Sequence, residues 1–148
     1  YVDDFFDKII CWAVFDALYQ KETLLELNRV LKNGGIAMIS GKNDNYAPDD
    51  KMALEAEVNA RIKGHPNHFT NVEALLENLH MFGFELTNAY YFERRGDWSD
   101  NRFSKAIIPK FYEYIFFLKK CGSSQEIITN ISSEYSKTFK ILENGEVV

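Results

Sequence analysis

Cysteine, proline and long apolar runs are scarce in this chain of 148 residues. It contains two cysteines, Cys11 and Cys121, and three prolines. With so few cysteines, free thiols in a reduced, cytoplasmic setting are the simpler interpretation, and a disulfide is the alternative. No apolar run reaches the roughly 18 residues that a membrane-spanning helix needs, and no signal peptide is visible. The sequence therefore predicts neither a membrane protein nor a secreted one.

The chain also has no excess of basic residues, with 17 lysines and arginines against 22 acidic residues, and no glycine-rich turn. The net charge of −5 gives no general reason to expect tight nucleic-acid binding, although a local basic patch stays open. No G-x-G-x-x-G or comparable glycine-rich turn between a strand and a helix occurs anywhere. The hydrophobic fraction of 46% and the charged fraction of 26% are those of a globular protein with room for one domain.

The most organised stretch runs from Phe6 to Ser40 and predicts a strand, a crossover helix and a second strand. Residues 6–14 are apolar enough to predict a strand buried on both faces of a parallel sheet, and residues 36–39 form a second such run. Leucines at helical spacing lie between them, and Asn33-Gly34-Gly35 is predicted to end the helix. Such a unit crosses over right-handedly, so the helix covers one face of the sheet.

The same stretch resembles a known family. Phe6-Asp7 at the start of the strand, Leu24-Leu25-Glu26, and the string from Arg29 to Gly35 are similar to the second half of class I S-adenosylmethionine-dependent methyltransferases. In that family the fourth strand begins near "FD", and the following helix ends in "RVLKPGG". Asn33 stands where the family usually has proline. The resemblance extends to about residue 120 and implies an α/β fold with a partial Rossmann-like sheet.

The resemblance also implies what this chain does not contain. In the family, a glycine-rich turn holds the methionine end of the cofactor and an acidic residue after the next strand holds the ribose. Neither feature occurs here. We therefore expect residues 1–121 to be the C-terminal half of a methyltransferase domain, and residues 122–148 to be an extension with a helix and a short extended segment. The cofactor of the full-length protein would be S-adenosylmethionine, and its acceptor a small molecule.

The first candidate site residues follow the first strand, because ligands of open parallel sheets bind at the carboxyl ends of the strands. By resemblance, Cys11, Trp12 and Ala13 would border the cofactor, and Phe15 the acceptor. Trp12 and Phe15 are equally open to interpretation as core aromatics. Asp16 is a candidate catalytic residue facing the acceptor, with a solvated position before the helix as the simpler alternative.

A second group of candidates follows the second strand. The turn-rich segment Ser40–Asp50 places Asn43 and Tyr46 where they would bind substrate. His65 and His68 are candidate general bases, because an unperturbed histidine titrates near neutral pH. His68 would also contact the substrate, while ordinary loop histidines are the alternative for both. No cysteine or carboxylate cluster accompanies them, so we expect no metal site.

Two further helices are predicted from capping and breaking residues. One begins near Pro48 and closes at Gly64, and it is either a lid over the acceptor or a plain surface helix. For the next, Thr70 and Glu73 form a capping box and Gly83 marks the end.

The last part of the domain predicts an antiparallel strand pair. Residues 84–94 and 110–119 are strand-like, and no helical pattern separates them. The second of these strands is apolar on both faces, so we expect it to insert into the sheet interior. At the long link between them, the side chains of Arg94, Arg95, Trp98 and Arg102 would meet an anionic or planar acceptor, or the link is an ordinary solvated connection.

Two other functional classes stay open at this stage. The chain is alternatively a non-catalytic, methyltransferase-like interaction module, which would use the free edge of its first strand to pair with another chain, for example as a homodimer. A different doubly wound α/β enzyme or regulator would share the strand-helix-strand pattern, because a fold does not determine a function.

Overall fold

The computed structural model describes residues 1–63, 68–125 and 131. These residues form a mixed α/β structure built on a four-stranded sheet. The strands are β1 (Phe6–Cys11), β2 (Leu31–Lys42), β3 (Phe84–Phe92) and β4 (Glu113–Lys120), and the helices are α1 (Gln20–Val30), α2 (Lys51–Ile62) and α3 (Val72–Asn78). Two short 3₁₀ helices, Phe15–Ala17 and Leu79–Phe82, lie before α1 and after α3.

The strand order is β1-β2-β4-β3. β1 and β2 are parallel, and β4 is antiparallel to both β2 and β3. This confirms the predicted parallel unit, the antiparallel pair and the insertion of the last strand between its neighbours. The carboxyl ends of β1, β2 and β3 consequently lie at the same edge of the sheet, next to the start of β4.

The prediction that the first strand is buried on both faces is wrong. β1 lies at the edge of the sheet, pairs with β2 alone among the described residues, and ends at Cys11 instead of continuing to Val14. Ile10 is 71% exposed. An apolar run shows that a strand forms easily, but its burial depends on neighbours that the run itself does not specify.

Helix α1 packs as its leucine spacing predicts, but it ends earlier than the glycine pair suggests. Leu24 and Leu27 are buried in the core, and the helix stops at Val30. Gly34 and Gly35 instead lie in the first part of β2, where Gly34 has a φ of +79° and a Cβ on Gly35 would come within 2.8 Å of a backbone oxygen. The glycines therefore allow a tight backbone path into the sheet.

The main core lies on one face of the sheet, between the strands and the helices α1 and α3. It contains alternate residues of the strands together with the apolar faces of these helices, including Leu24, Leu27, Ala37, Ile39, Leu75, Leu79, Phe82, Tyr114, Phe116 and Leu118. On the opposite face of β4, Ile115 and Phe117 are only half-buried. One face of the sheet is thus more fully covered than the other by the described residues.

The helix boundaries correct one capping prediction and confirm another. Asn71, not Thr70, caps α3, since its side-chain oxygen accepts a hydrogen bond from the Ala74 N–H at 3.0 Å. The Thr70 hydroxyl instead bonds the hydroxyl of Tyr114. Gly83 ends the following 3₁₀ helix in the left-handed conformation, as predicted. α2 begins at Lys51, and its predicted closure at residue 64 lies outside the described residues.

The predicted extension falls mainly outside the description as well. Of residues 122–148, only 122–125 and Ile131 are described, and Ile131 is buried in the main core. Among the helices that the structure describes, none combines the length and apolar character needed to span a bilayer.

Candidate functional site

The turn after β1 presents an exposed indole ring beside a constrained backbone. Trp12 is 51% exposed, whereas Cys11 just before it is buried. Ala13 has a φ of +54°, which is uncommon for a residue with a Cβ, and its N–H donates a 2.7 Å hydrogen bond to Ser40 Oγ at the end of β2. The carboxyl ends of the two parallel strands are therefore joined directly at this turn.

Asp16 lies beneath this turn and is only 4% exposed. Its carboxyl packs against Gly41 so closely that a Cβ on that glycine would come within 2.8 Å of Oδ1. The backbone N–H of Lys42 also donates a hydrogen bond to this carboxyl. The alternative of a solvated Asp16 is therefore wrong, because the missing side chain at Gly41 makes room for a buried carboxyl.

Burial changes the acidity of Asp16. Loss of solvation raises its pKa to about 6, opposed by the positive charge and the N–H of Lys42 and assisted by the negative charge of Glu57. A carboxyl with this pKa exchanges its proton just below neutral pH. It is therefore suited to accept a proton from a bound ligand under ordinary conditions.

Lys42 lies at the centre of the charged groups at this edge of the sheet. Its Nζ is 3.5 Å from Glu57 Oε1 and 4.9 Å from the centroid of the Phe69 ring. Partial burial and, secondly, the charge of Lys42 lower the pKa of His68 below its usual value. Two predicted catalytic candidates, Asp16 and His68, thus both interact electrostatically with this one lysine.

Helix α2 contributes a buried carboxylate to the same cluster. Glu57 is 2% exposed, and its Oε1 accepts a 2.7 Å hydrogen bond from the hydroxyl of Tyr112. The same hydroxyl accepts a 3.0 Å hydrogen bond from Arg95 Nη1. Burial and the charge of Glu57 raise the pKa of Tyr112, so this phenol stays protonated. Glu113 nearby also has a raised pKa, mainly because it is buried.

The remaining predicted substrate residues lie below the surface. Phe15 is fully buried in the main core, and Tyr46 packs on the rings of Phe69 and Tyr112. The Asn43 side chain donates to backbone oxygens of Asn45 and Phe111, so it fixes the loop around it. Roles for Phe15, Asn43 and Tyr46 in substrate binding stay predictions, and His65 lies outside the described residues.

Sequence reasoning missed three members of this cluster. Lys42, Glu57 and Tyr112 were not singled out, although all three meet at the carboxyl edge of the sheet. Gly41 was a usable signal for Lys42, since a glycine near the end of a buried strand often marks a close approach. Nothing in the sequence distinguishes Glu57 from the other acidic residues of α2.

The described side chains give no sign of a metal site. Within residues 1–63, 68–125 and 131, no group of three or more histidine, cysteine or carboxylate side chains is arranged to hold a metal ion. The Glu57 carboxylate is instead partnered by Lys42 and by the Tyr112 hydroxyl.

Comparison with known proteins gives limited similarity. No protein-family model and no curated protein sequence matches the chain. A protein of Bacillus halodurans C-125 provisionally assigned as a methyltransferase is 18% identical, covering 83% of this chain and 73% of its own, with a TM-score of 0.47. A provisionally assigned DNA modification methylase of Thermus thermophilus is 15% identical, covering 86% and 50%, with a TM-score of 0.42. At these TM-scores, neither similarity bears on the activity of this chain.

Proposed function

We propose that the full-length protein transfers a methyl group from S-adenosylmethionine to a small-molecule acceptor. In this proposal the present chain is the C-terminal half of the catalytic domain, because no glycine-rich cofactor loop occurs among its 148 residues. The observation that carries the proposal is the buried Asp16, set between the Trp12 turn and Lys42 at the carboxyl ends of the parallel strands. The resemblance of the motifs in β1, α1 and the start of β2 to those of class I methyltransferases also supports it.

The residues at the end of β1 fit one wall of a cofactor site. Trp12 offers an exposed aromatic surface, and Ala13, whose backbone is left-handed, is exposed beside it. Cys11, Trp12 and Ala13 would hold the cofactor there. When bound, S-adenosylmethionine supplies a methyl group on a positively charged sulfur, which is already an activated leaving group.

The protein's own contribution is then to place the acceptor and remove its proton. Positioning of reacting groups can lower a barrier by roughly 7–11 kcal/mol. Asp16, with a pKa of about 6, is ionised at neutral pH and can accept a proton from an acceptor hydroxyl or amine. Burial and the charge of Lys42 lower the pKa of His68, which favours its neutral form and makes it a second candidate proton acceptor.

The test uses the full-length protein. We expect calorimetry to show binding of S-adenosylmethionine, and we expect Asp16→Asn to bind the cofactor normally while methyl transfer falls. Absence of cofactor binding by the full-length protein would contradict the enzyme proposal. The 148-residue chain alone should bind the cofactor very weakly and show no turnover; tight binding would show that the missing loop is not needed.

A second candidate function is supported by the exposed first strand. The outer edge of β1 is unpaired within the described residues, and Phe5 and Ile10 are 51% and 71% exposed. Such an edge can pair with a strand of another chain. This favours an interaction module, including a homodimer formed through β1.

Sedimentation separates this candidate from the enzyme. A homodimer of the full-length protein that Ile10→Lys converts to a monomer, together with no cofactor binding, would favour the interaction module. A monomer that binds the cofactor would favour the enzyme.

A further inference from the structure

Helix α2 and the turn at residues 94–98 are joined by a closed series of hydrogen bonds, although they are distant in sequence. Asp50, immediately before α2, accepts a 2.7 Å hydrogen bond from the backbone N–H of Arg95. The Arg95 guanidinium donates to the Tyr112 hydroxyl at 3.0 Å, and this hydroxyl donates to Glu57 at 2.7 Å. Because Glu57 lies in α2, the series returns to the helix where it began. We call these four residues the polar ring.

Three of the four residues of the polar ring are buried, and Arg95 is half-buried. Asp50, Glu57 and Tyr112 are 4%, 2% and 0% exposed. The Glu57 carboxylate lies 3.5 Å from the ammonium of Lys42, and the Asp50 carboxylate accepts the backbone N–H of Arg95. Removing one partner from such a buried arrangement leaves an uncompensated polar group, which is costly. We therefore expect α2 and residues 94–98 to move as one body, here called the cover.

The edge of the cover is an indole ring that rests on the Trp12 turn. Trp98 stacks on Phe92, at the end of β3, with a centroid distance of 5.1 Å and an angle of 10°. Its other neighbour is Trp12, at 4.7 Å and 74°. Trp98 thus extends from the far strand of the sheet to the turn that follows β1.

We propose that the cover carries Trp98 into the cofactor-binding wall, where it acts together with Trp12 as a binding residue. This inference rests on the proposed function, because the ligand that Trp98 would contact is the cofactor proposed to bind at the end of β1. A tryptophan that only fills space in the loop would hold its place through local contacts. If the cover positions Trp98, then the position of this side chain also depends on the polar ring, even without direct contact between them.

The two tryptophans make the inference directly measurable. They are the only tryptophans among the 148 residues. Indole rings this close at a large angle couple their electronic transitions and give a paired positive and negative band, an exciton couplet, in far-ultraviolet circular dichroism. We expect the couplet in the wild-type chain, and we expect both Trp12→Phe and Trp98→Phe to abolish it. A wild-type chain without a couplet would overturn the inference.

The link to the polar ring is tested by removing single atoms from it. Tyr112→Phe deletes the hydroxyl that connects Arg95 to Glu57, and we expect most of the couplet to disappear while the sheet signal persists. Tyr114→Phe is the matched control, because it also deletes a buried hydroxyl, one bonded to Thr70 outside the ring. Arg95→Met provides a second break in case Tyr112→Phe fails to fold. A full couplet in a folded ring variant would overturn the inference.

The binding role is tested by cofactor affinity in the full-length protein. We expect Trp98→Ala to weaken S-adenosylmethionine binding about fivefold, the usual size of one aromatic contact. If wild type and Trp98→Ala bind equally well, Trp98 is not a binding residue and the inference is wrong. If the wild-type protein binds no S-adenosylmethionine, the proposed function fails and with it the binding role of Trp98. The couplet then reports on the cover alone.

Discussion

Helices α1 and α2 are almost equal in length, with 11 and 12 residues, but they are attached to the sheet in opposite ways. α1 buries Leu24 and Leu27 in the main core. α2 buries Ala53, but its deepest polar anchor is the carboxylate of Glu57, paired with Tyr112 and Lys42. The first helix is held mainly by apolar area and the second largely by paired charges.

Because of this difference, we expect the region around α1 to be insensitive to pH and ligands and the region around α2 to respond to them. Burying a leucine stabilises a fold by about 1.5–3 kcal/mol, whatever the pH. A buried charged pair contributes little net stability, but it is sensitive to the protonation and position of each partner. The carboxyl edge of the sheet, where α2 lies over Lys42, is therefore where binding or pH can alter the structure.

The largest expected effect is on the apolar helix. Leu24→Ala should destabilise the whole chain by about 2–5 kcal/mol, because it leaves a cavity in the main core. The measurement is urea unfolding followed by circular dichroism. Leu54→Ala is the matched control on α2, where the leucine is only half-buried, so its loss should be smaller. Equal losses would contradict the contrast between the two helices.

The next effect concerns the pH dependence of stability. The pKa of Asp16 is about 6 in the folded chain and lower when unfolded, so the folded state holds this proton more tightly. The stability that Asp16 contributes is present at low pH. It is lost as the pH rises from the pKa of Asp16 in the unfolded chain through about 6, its pKa in the folded chain.

Asp16→Asn does not titrate and should remove this loss. We expect the variant to be more stable than wild type at about pH 8, by up to about 3 kcal/mol, with the gain shrinking toward about pH 4. Urea unfolding across this range measures it. A gain that is independent of pH would show that Asp16 is not the group responsible.

The same contrast explains how much of the molecule could be predicted from its sequence. The leucine spacing of α1 specifies both the helix and its buried face, whereas the apolar runs of β2 and β4 specify the strands alone. The antiparallel pairing of β3 and β4 could be predicted because no helical pattern separates the two runs. The first strand was misjudged, because its exposure depends on which neighbours it has. Position after the first strand is what led to the predictions for Trp12 and Asp16, and their roles in a site stay predictions.

The charged cluster could not be predicted, because its members are brought together only by the fold. Lys42 and Glu57 lie 15 positions apart, and Tyr112 follows a long loop. A buried glutamate in α2 has the same local sequence signature as an exposed one. What identifies Glu57 is its 2% exposure and the hydroxyl at 2.7 Å, which are properties of the assembled edge.

A third, smaller effect separates local from global stability. Glu57→Gln removes a charge but keeps the shape of the side chain, so we expect about 1–3 kcal/mol less protection of the α2 amides. Hydrogen exchange measures the protection of the backbone amides in each helix separately, and the α1 amides should be nearly unaffected. Equal loss of protection in α1 would mean that the charge network also supports the main core.

The smallest effect is electrostatic and leaves the fold intact. Lys42→Gln removes the positive charge that helps to lower the pKa of His68, so that pKa should rise toward its ordinary value. Nuclear magnetic resonance titration of the imidazole measures the shift. Lys51→Gln is the matched control, since it removes an exposed lysine at the start of α2. If both variants move the His68 pKa equally, the effect comes from net charge, and Lys42 has no special position between the predicted proton acceptors.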